Sequence, residues 1–218
     1  MCLIEPTETD MLSTPSSLNS HARLFVSKSQ SRSFKAKSYI LQPGHPEAGS
    51  HLLVKGSAQL VIENDGREMI LGLLKPGDYF GDLPFPIAVD GHLVSVQARS
   101  QCQVAFMSGA DFQQMVLTTP EMLMDVCGQL NERLSAATRK VGDLAFLDIT
   151  GRIVSVIQDL VHASFAVKAS EGTVIPITRQ DLGRLASCSR ETAGRVLKLL
   201  EEQGLIICSG RNITVLKA

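Results

Sequence analysis

The hydrophobic pattern of this 218-residue chain changes its period near Thr119, and this change limits the folds that the chain can adopt. Between about Ser31 and Ser108, apolar and polar residues alternate in short runs such as Ala58 to Glu63, and turn signals such as Asn64-Asp65-Gly66 follow the runs. Alternation indicates strands, and many short strands with turns predict an antiparallel sandwich or barrel. After Thr119 the apolar spacing becomes three and four residues, which predicts helices. We therefore expect an α+β protein with its β domain first.

The first predicted helix begins at Thr119 and Pro120, a capping hydroxyl followed by a residue that needs no hydrogen-bond acceptor at this position. An apolar seam then recurs along a predicted helix over 119–145. This narrow stripe is typical of a helix that pairs with a copy of itself, although it could instead pack on the strand domain. The seam consists of Leu123, Cys127, Leu130, Leu134, Ala137, Val141 and Leu144.

Two shorter helices and a hairpin are predicted near the carboxyl end. The first begins at Thr178 and ends near Ala186, and the second begins after Ser189 and ends near Gln203. Residues 205–216 then predict a two-stranded wing with a turn at Ser209-Gly210-Arg211-Asn212. A helix pair with a tight connection and a wing is typical of a winged helix-turn-helix.

The second of these helices has two contrasting faces. Ala193, Val196, Leu197 and Leu200 share the face that would pack on the first helix. Long hydrogen-bond donors near a helix N-terminus reach base edges in the major groove, and an acid there can accept from a cytosine amino group. The pattern thus predicts double-stranded DNA as a partner, the alternative being two surface helices with solvated charges. The face that would read DNA carries Arg190, Glu191, Gly194, Arg195 and Lys198.

The composition excludes several classes of protein. A net charge of −1 argues against a non-specific polyanion binder, and the five distant cysteines offer neither a disulfide framework nor a paired metal site. No apolar run is long enough to span a membrane, so we expect a cytoplasmic protein with reduced thiols. Nucleophile, base and metal-ligand patterns are absent, so an enzyme is not expected. Residues 1–17, rich in Ser, Thr and Pro, are expected to form a flexible tail.

Three segments also carry a family resemblance. ITRQDLGRLA, the following CSRETAGRVLKLLEEQGLI and the earlier KVGDLAFLDITGRI closely resemble the cyclic AMP receptor family of bacterial regulators, also called CRP/FNR. The resemblance extends from about Leu18 to Leu216. It implies a jelly-roll domain of the cyclic-nucleotide-binding type over 18–118, the dimerisation helix over 119–145, and a winged helix-turn-helix domain over 146–218 with a hinge near Phe146 to Asp148.

The resemblance implies roles for the DNA-binding residues. Positions matching Arg190, Glu191 and Arg195 read base edges of a TGTGA-like half-site in the family. Positions matching Thr178, Arg179 and Ser189 help to hold phosphates, and we assign Lys198 to the same task. Two copies in a homodimer would then bind a palindromic operator, and RNA polymerase is expected as a further partner.

The effector pocket departs from the family pattern. A Gly-Glu-Leu-Gly-Leu-Phe cassette and a later Arg-Ser-Ala hold the cyclic nucleotide in relatives, whereas this chain has Gly81-Asp82-Leu83-Pro84-Phe85-Pro86 and then His92-Leu93-Val94. Loss of the arginine removes a bidentate, charge-assisted contact to the phosphate. We therefore expect DNA binding that does not require cyclic AMP; the alternative is control by cyclic di-GMP, as in one branch of similar regulators, or by another small effector. The altered pocket would comprise Gly81, Asp82, Leu83, His92, Leu93, Ala137 and Thr138.

Overall fold

A computed structural model of the chain describes residues 18–43, 49–81, 94–163 and 165–217, so the predicted tail lies outside the described residues. The elements fall into two units, one containing the chain up to Ile62 together with Leu71–Leu134, the other Glu63–Ile70 together with the chain from Ser135 onward. The helices are α1 (Ser20–Ser27), α2 (Gly109–Thr118), α3 (Glu121–Phe146), α4 (Ile149–Val161), α5 (Arg179–Ala186) and α6 (Arg190–Glu202). The strands are β1 (Gln30–Phe34), β2 (Tyr39–Leu41), β3 (Gly49–Lys55), β4 (Ala58–Asn64), β5 (Arg67–Leu74), β6 (Tyr79–Gly81), β7 (Ser95–Ala98), β8 (Cys102–Ser108), β9 (Val167–Lys168), β10 (Gly172–Pro176), β11 (Ile206–Ser209) and β12 (Asn212–Leu216).

The first unit is built on two four-stranded antiparallel sheets, ordered β1-β8-β3-β6 and β2-β7-β4-β5. Strand β3 is buried on both faces, so its side chains pack in two different cores. Leu52 and Val54 pack in a core with α1, α2 and the start of α3, whereas Leu53 packs in a second core with residues of both sheets. The predicted β domain and its antiparallel topology are therefore confirmed.

The turn predicted at Asn64-Asp65-Gly66 joins β4 to β5. Asp65 and Gly66 have φ angles of 49° and 72°, both in the left-handed region that a two-residue hairpin turn requires. Aspartate and glycine tolerate this region better than other residues, which is why the sequence signal was reliable. The eight residues Glu63–Ile70 around this turn, here called the hairpin tip, belong to the second unit.

Helix α3 is the long helix that the apolar seam predicted. Its first two turns pack into the core of the first unit through Met122 and Val126. The Gln129 amide accepts from the backbone N–H of Tyr79 at 2.8 Å and donates to the Gly77 carbonyl at 2.9 Å. One polar side chain thus satisfies two backbone groups at the start of β6 and in the turn before it. No helix among the described residues is long and apolar enough to cross a bilayer.

The second unit contains α4, α5, α6 and a sheet ordered β11-β12-β10-β9. The prediction of a two-stranded wing was therefore incomplete, since β10 pairs along the whole of β12 and β9 extends the sheet. Gly172 permits this pairing, because any side chain there would overlap the Val215 carbonyl. The buried core of this unit includes Ile153, Ile157, Leu160, Ile175, Leu182, Leu185, Leu197, Ile206 and Ile213.

Candidate DNA-binding site

Two capped helices form the helix-turn-helix. The Thr178 hydroxyl accepts from the Asp181 N–H at 3.0 Å at the start of α5, and the Ser189 hydroxyl accepts from the Thr192 N–H at 3.1 Å at the start of α6. Each cap satisfies one of the backbone donors that a helix N-terminus leaves without a partner. Both starts agree with the predicted helix boundaries.

The turn between α5 and α6 is tight because two residues adopt special positions. Ser187 ends α5 in the left-handed region, with φ 56° and ψ 47°, and the Cys188 N–H donates to the Gly183 carbonyl at 2.8 Å. A Cβ atom on Gly183 would lie 2.8 Å from the Cys188 carbonyl oxygen and 3.2 Å from that of Ser189. Only glycine therefore fits at this point of α5.

Packing between the two helices decides which side chains of α6 remain available to a ligand. Leu182 and Leu185 of α5 are buried, as are the four apolar residues predicted for the inner face of α6. The opposite face is exposed, and we call it the reading face. It carries Arg190, Glu191, Arg195 and Lys198, all exposed, with the half-buried Gly194 among them.

The acid on the reading face is held as a carboxylate. A hydrogen bond from its own backbone N–H, and then one from the Ser189 hydroxyl, keep the pKa of Glu191 below its usual value, with Arg190 and Arg195 contributing further. The position lies in the first turn of α6, where the helix dipole also favours negative charge. Glu191 can therefore act as a hydrogen-bond acceptor between two guanidinium donors.

The other residues predicted to hold phosphates, Thr178, Arg179 and Ser189, lie at the starts of α5 and α6. The Arg179 Cδ lies 3.9 Å from the position that a Cβ of Gly194 would occupy, so this arginine of α5 extends along α6. Thr178 and Ser189 use their oxygens as caps; the Thr178 hydrogen can still be donated, whereas that of Ser189 is directed to Glu191. Arg179 thus places its donors beside α6.

Sequence reasoning did not assign a role to the wing tip. Arg211 is exposed in the turn between β11 and β12, next to Gly210 at φ 59°. The wing is tied to α6, because the Glu201 carboxylate accepts from the Cys208 N–H at 2.8 Å. In the sequence, Gly210-Arg211 between two predicted strands was the signal that could have placed a cation at the wing tip.

Most of the altered effector pocket cannot be assembled from the described residues. Asp82, Leu83, His92 and Leu93 lie outside them. Gly81 ends β6 in the first unit with φ 88°, and it needs to be glycine because a Cβ there would lie 2.7 Å from the Gly49 carbonyl oxygen. Ala137 and Thr138 are exposed on α3 within the second unit.

The predicted seam lies along α3. Leu123 packs partly against the core of the first unit, and Cys127 and Ala137 are exposed. Leu130, Leu134, Val141 and Leu144 have exposed fractions of 44, 67, 67 and 41%, which is unusual for a row of large apolar side chains on one helix.

Comparison with known proteins agrees with both halves of this description. Residues 31–119 match the cyclic nucleotide-binding domain, and residues 151–218 match the Crp-like helix-turn-helix domain. The cAMP-activated global transcriptional regulator Vfr of Pseudomonas aeruginosa is 42% identical over 189 residues, which cover 84% of this chain and 88% of Vfr. The chain belongs to the CRP family of transcription regulators.

Further CRP-family relatives match over nearly the whole chain. The cAMP-activated global transcriptional regulator CRP of Pasteurella multocida is 39% identical over 208 residues, covering 94% of this chain and 98% of that protein. The structure of the c-di-GMP responsive global regulator CLP of Xanthomonas campestris superposes with a TM-score of 0.82 at 34% identity, covering 91% of this chain and 99% of CLP. The protein is thus a DNA-binding transcription regulator with a cyclic nucleotide-binding domain, and its relatives are regulators rather than enzymes.

Proposed function

We propose that this CRP-family regulator binds a TGTGA-like palindromic operator as a homodimer and that this binding does not require cyclic AMP. The observation that carries the proposal is the exposed reading face of α6, with Arg190, Glu191 and Arg195 near a capped N-terminus. Arginine can donate two hydrogen bonds to guanine, and a carboxylate can accept from cytosine, so these residue types fit a G·C-containing half-site.

The proposed backbone contacts surround the proposed base contacts. Thr178, Arg179, Ser189 and Lys198 would donate to phosphates, which fixes the register of α6 without reading sequence. The exposed Arg211 adds a cation at the wing tip. Because phosphate contacts release counterions, they would make binding strongly dependent on salt concentration.

The exposed seam of α3 supports the proposed homodimer. Leu130, Leu134, Val141 and Leu144 would each lose contact with water if a second copy of α3 packed along them. Burial of apolar area contributes about 25 cal/mol per Å², so a seam over three heptads supplies a substantial driving force. A two-fold axis along the seam would also match the two-fold symmetry of a palindrome.

Independence from cyclic AMP rests on residues that the family uses for the nucleotide. Leu93 stands where relatives carry a serine, and His92 stands where they carry the arginine that binds the cyclic phosphate. A neutral imidazole offers one donor where a guanidinium offers five with a fixed charge. We also propose RNA polymerase as a partner and the cytoplasm, where DNA is available, as the location.

A band-shift experiment tests this function. Purified protein is incubated with a duplex carrying the TGTGA-type palindrome, and with a scrambled duplex as the control, in the absence of any nucleotide. We expect a specific complex at sub-micromolar protein and no change when cyclic AMP is added. Absence of a specific complex without nucleotide, followed by its appearance with cyclic AMP, would refute the proposed independence.

A second candidate function is control by another effector. Support for it comes from the match of residues 31–119 to the cyclic nucleotide-binding domain and from the likeness to CLP, which is c-di-GMP responsive. Calorimetric titration with cyclic AMP, cyclic GMP and cyclic di-GMP distinguishes the candidates. Effector control is favoured if one of these ligands binds with a dissociation constant below about 10 μM and also alters the band shift.

A further inference from the structure

The hairpin tip is connected to the end of α5 by an ion pair inside the second unit. The Arg184 guanidinium binds the Glu68 carboxylate, and the two side chains are only 26% and 23% exposed. Next to this pair, the Ser187 hydroxyl donates to the Met69 sulfur at 3.0 Å. Two consecutive residues of the tip therefore contact the last turn of α5.

Lys140 of α3 lies between the same two segments. Its ammonium donates to the Ile70 carbonyl at 2.8 Å and to the Leu185 carbonyl at 2.6 Å. Burial lowers the pKa of this amine to about 8, against the opposing effect of Asp143 and Asp159. We call Glu68, Lys140 and Arg184 the clasp, because together they join the hairpin tip, α3 and α5.

The clasp acts at the end of α5 where backbone acceptors need partners. The last carbonyls of a helix have no partner within the helix, and its C-terminus attracts cations. Lys140 satisfies the Leu185 carbonyl, and the Arg152 Nε satisfies the Ala186 carbonyl at 3.0 Å. Cations from α3 and α4 thus fix the end of α5, and α5 in turn packs against α6.

We propose that Glu68, Lys140 and Arg184 are positioning residues for DNA binding, which hold α5 and α6 in one orientation relative to α3 with the reading face exposed. The proposal rests on the proposed function. Its basis is that the closed clasp and the exposed Arg190, Glu191 and Arg195 occur together within one unit. None of the three clasp residues belongs to the reading face.

Single neutral variants separate positioning from simple charge effects. Glu68→Gln removes a negative charge, so electrostatics alone would strengthen binding to the DNA polyanion, whereas Arg184→Gln removes a positive charge and would weaken it. The clasp predicts that both weaken binding to the palindrome, by roughly five-fold each, the size expected for a partly buried coupled pair. Fluorescence anisotropy at fixed salt, with thermal unfolding to verify folding, measures the change.

Neighbouring control variants exist for two of the clasp residues, Glu68 and Lys140. Arg67→Gln changes an exposed charge next to Glu68 and is compared with Glu68→Gln. Arg139→Gln changes an exposed charge next to Lys140 and is compared with Lys140→Gln. The charge-reversed double variant Glu68→Arg with Arg184→Glu keeps the net charge and can restore the pair. We expect it to recover most of the affinity lost in the single variants.

Hydrogen exchange at the hairpin tip and at α5 supplies a readout that does not involve DNA. We expect faster exchange in both segments for Glu68→Gln and Arg184→Gln than for Arg67→Gln. If wild type binds the palindrome and Glu68→Gln binds it as well or better, the positioning role is wrong. If wild type binds no specific DNA, the proposed function fails, and unchanged exchange in the variants would then overturn the clasp separately.

Discussion

Helices α3 and α6 each carry a row of exposed side chains, but the two rows differ in chemistry. That of α3 is apolar, with Leu134 and Val141 each 67% exposed, whereas that of α6 carries Arg190, Glu191, Arg195 and Lys198. An exposed apolar row gains free energy only when another apolar surface covers it, while an exposed row of donors is stable in water and awaits a polyanion. The two faces thus indicate different partners, a second copy and DNA.

The largest effect should come from placing a charge on the apolar face. Leu134→Asp would bury a carboxylate in the proposed dimer, so the dimer should dissociate. A dimer that contacts two half-sites binds about 100-fold or more tightly than a monomer that contacts one. Affinity for the palindrome should therefore fall by a similar factor. Sedimentation and anisotropy measure the two quantities.

Leu117→Asp provides the matched control for that experiment, because Leu117 on α2 is 69% exposed but lies off the seam. It should leave both the oligomeric state and the affinity nearly unchanged. A monomeric Leu134→Asp variant that still binds the palindrome with wild-type affinity would show that the apolar face of α3 has no role in DNA binding.

On the charged face, Arg190→Ala tests base reading. Loss of a bidentate contact to guanine should cost about 1 to 3 kcal/mol per half-site and relax specificity at one base pair. Arg179→Ala should instead weaken all sequences and reduce the salt dependence. Binding constants on matched, single-substituted and random duplexes measure this; equal losses from Arg190→Ala on specific and random DNA would contradict the assignment.

The sequence predicted those features of the fold that depend on neighbouring residues. The caps Thr178 and Ser189, the turn Asn64-Asp65-Gly66 and the long α3 all follow from local chemistry. The wing was incompletely predicted, because β10 joins β12 through a pairing between distant segments that leaves no local pattern. The contact between Ser187 and Met69 spans 118 residues, and the sequence alone did not indicate it.

Two glycines of the helix-turn-helix should respond in opposite directions. Gly183→Ala forces a Cβ against the Cys188 and Ser189 carbonyls, so unfolding should become easier by about 1 to 3 kcal/mol. Gly194→Ala meets only the Arg179 Cδ at 3.9 Å and should stabilise α6 by up to about 1 kcal/mol. Its methyl group would nevertheless stand on the reading face and weaken DNA binding. Urea unfolding and anisotropy distinguish the effects; similar stability changes at both glycines would be inconsistent with this turn.

A pH-dependent effect is expected from Lys140, a half-buried cation on α3. Burial lowers its pKa from 10.5 to about 8, so between these pH values the unfolded chain binds more protons than the folded chain. The free energy of unfolding must then rise with pH in this window, because a lower proton concentration disfavours the state that binds more protons, which is the unfolded one.

Comparison with Lys140→Met isolates this contribution. Burial also raises the pKa of Cys188 and of Cys208, which lowers stability as pH rises, but both proteins share these thiols. The difference in unfolding free energy, wild type minus Lys140→Met, should therefore be flat below about pH 7 and increase from pH 8 to 10.5. Parallel curves over this range would mean that Lys140 titrates as an ordinary solvated amine. In that case Lys140 would be a solvated cation in the folded protein, and it would not make stability depend on pH in this range.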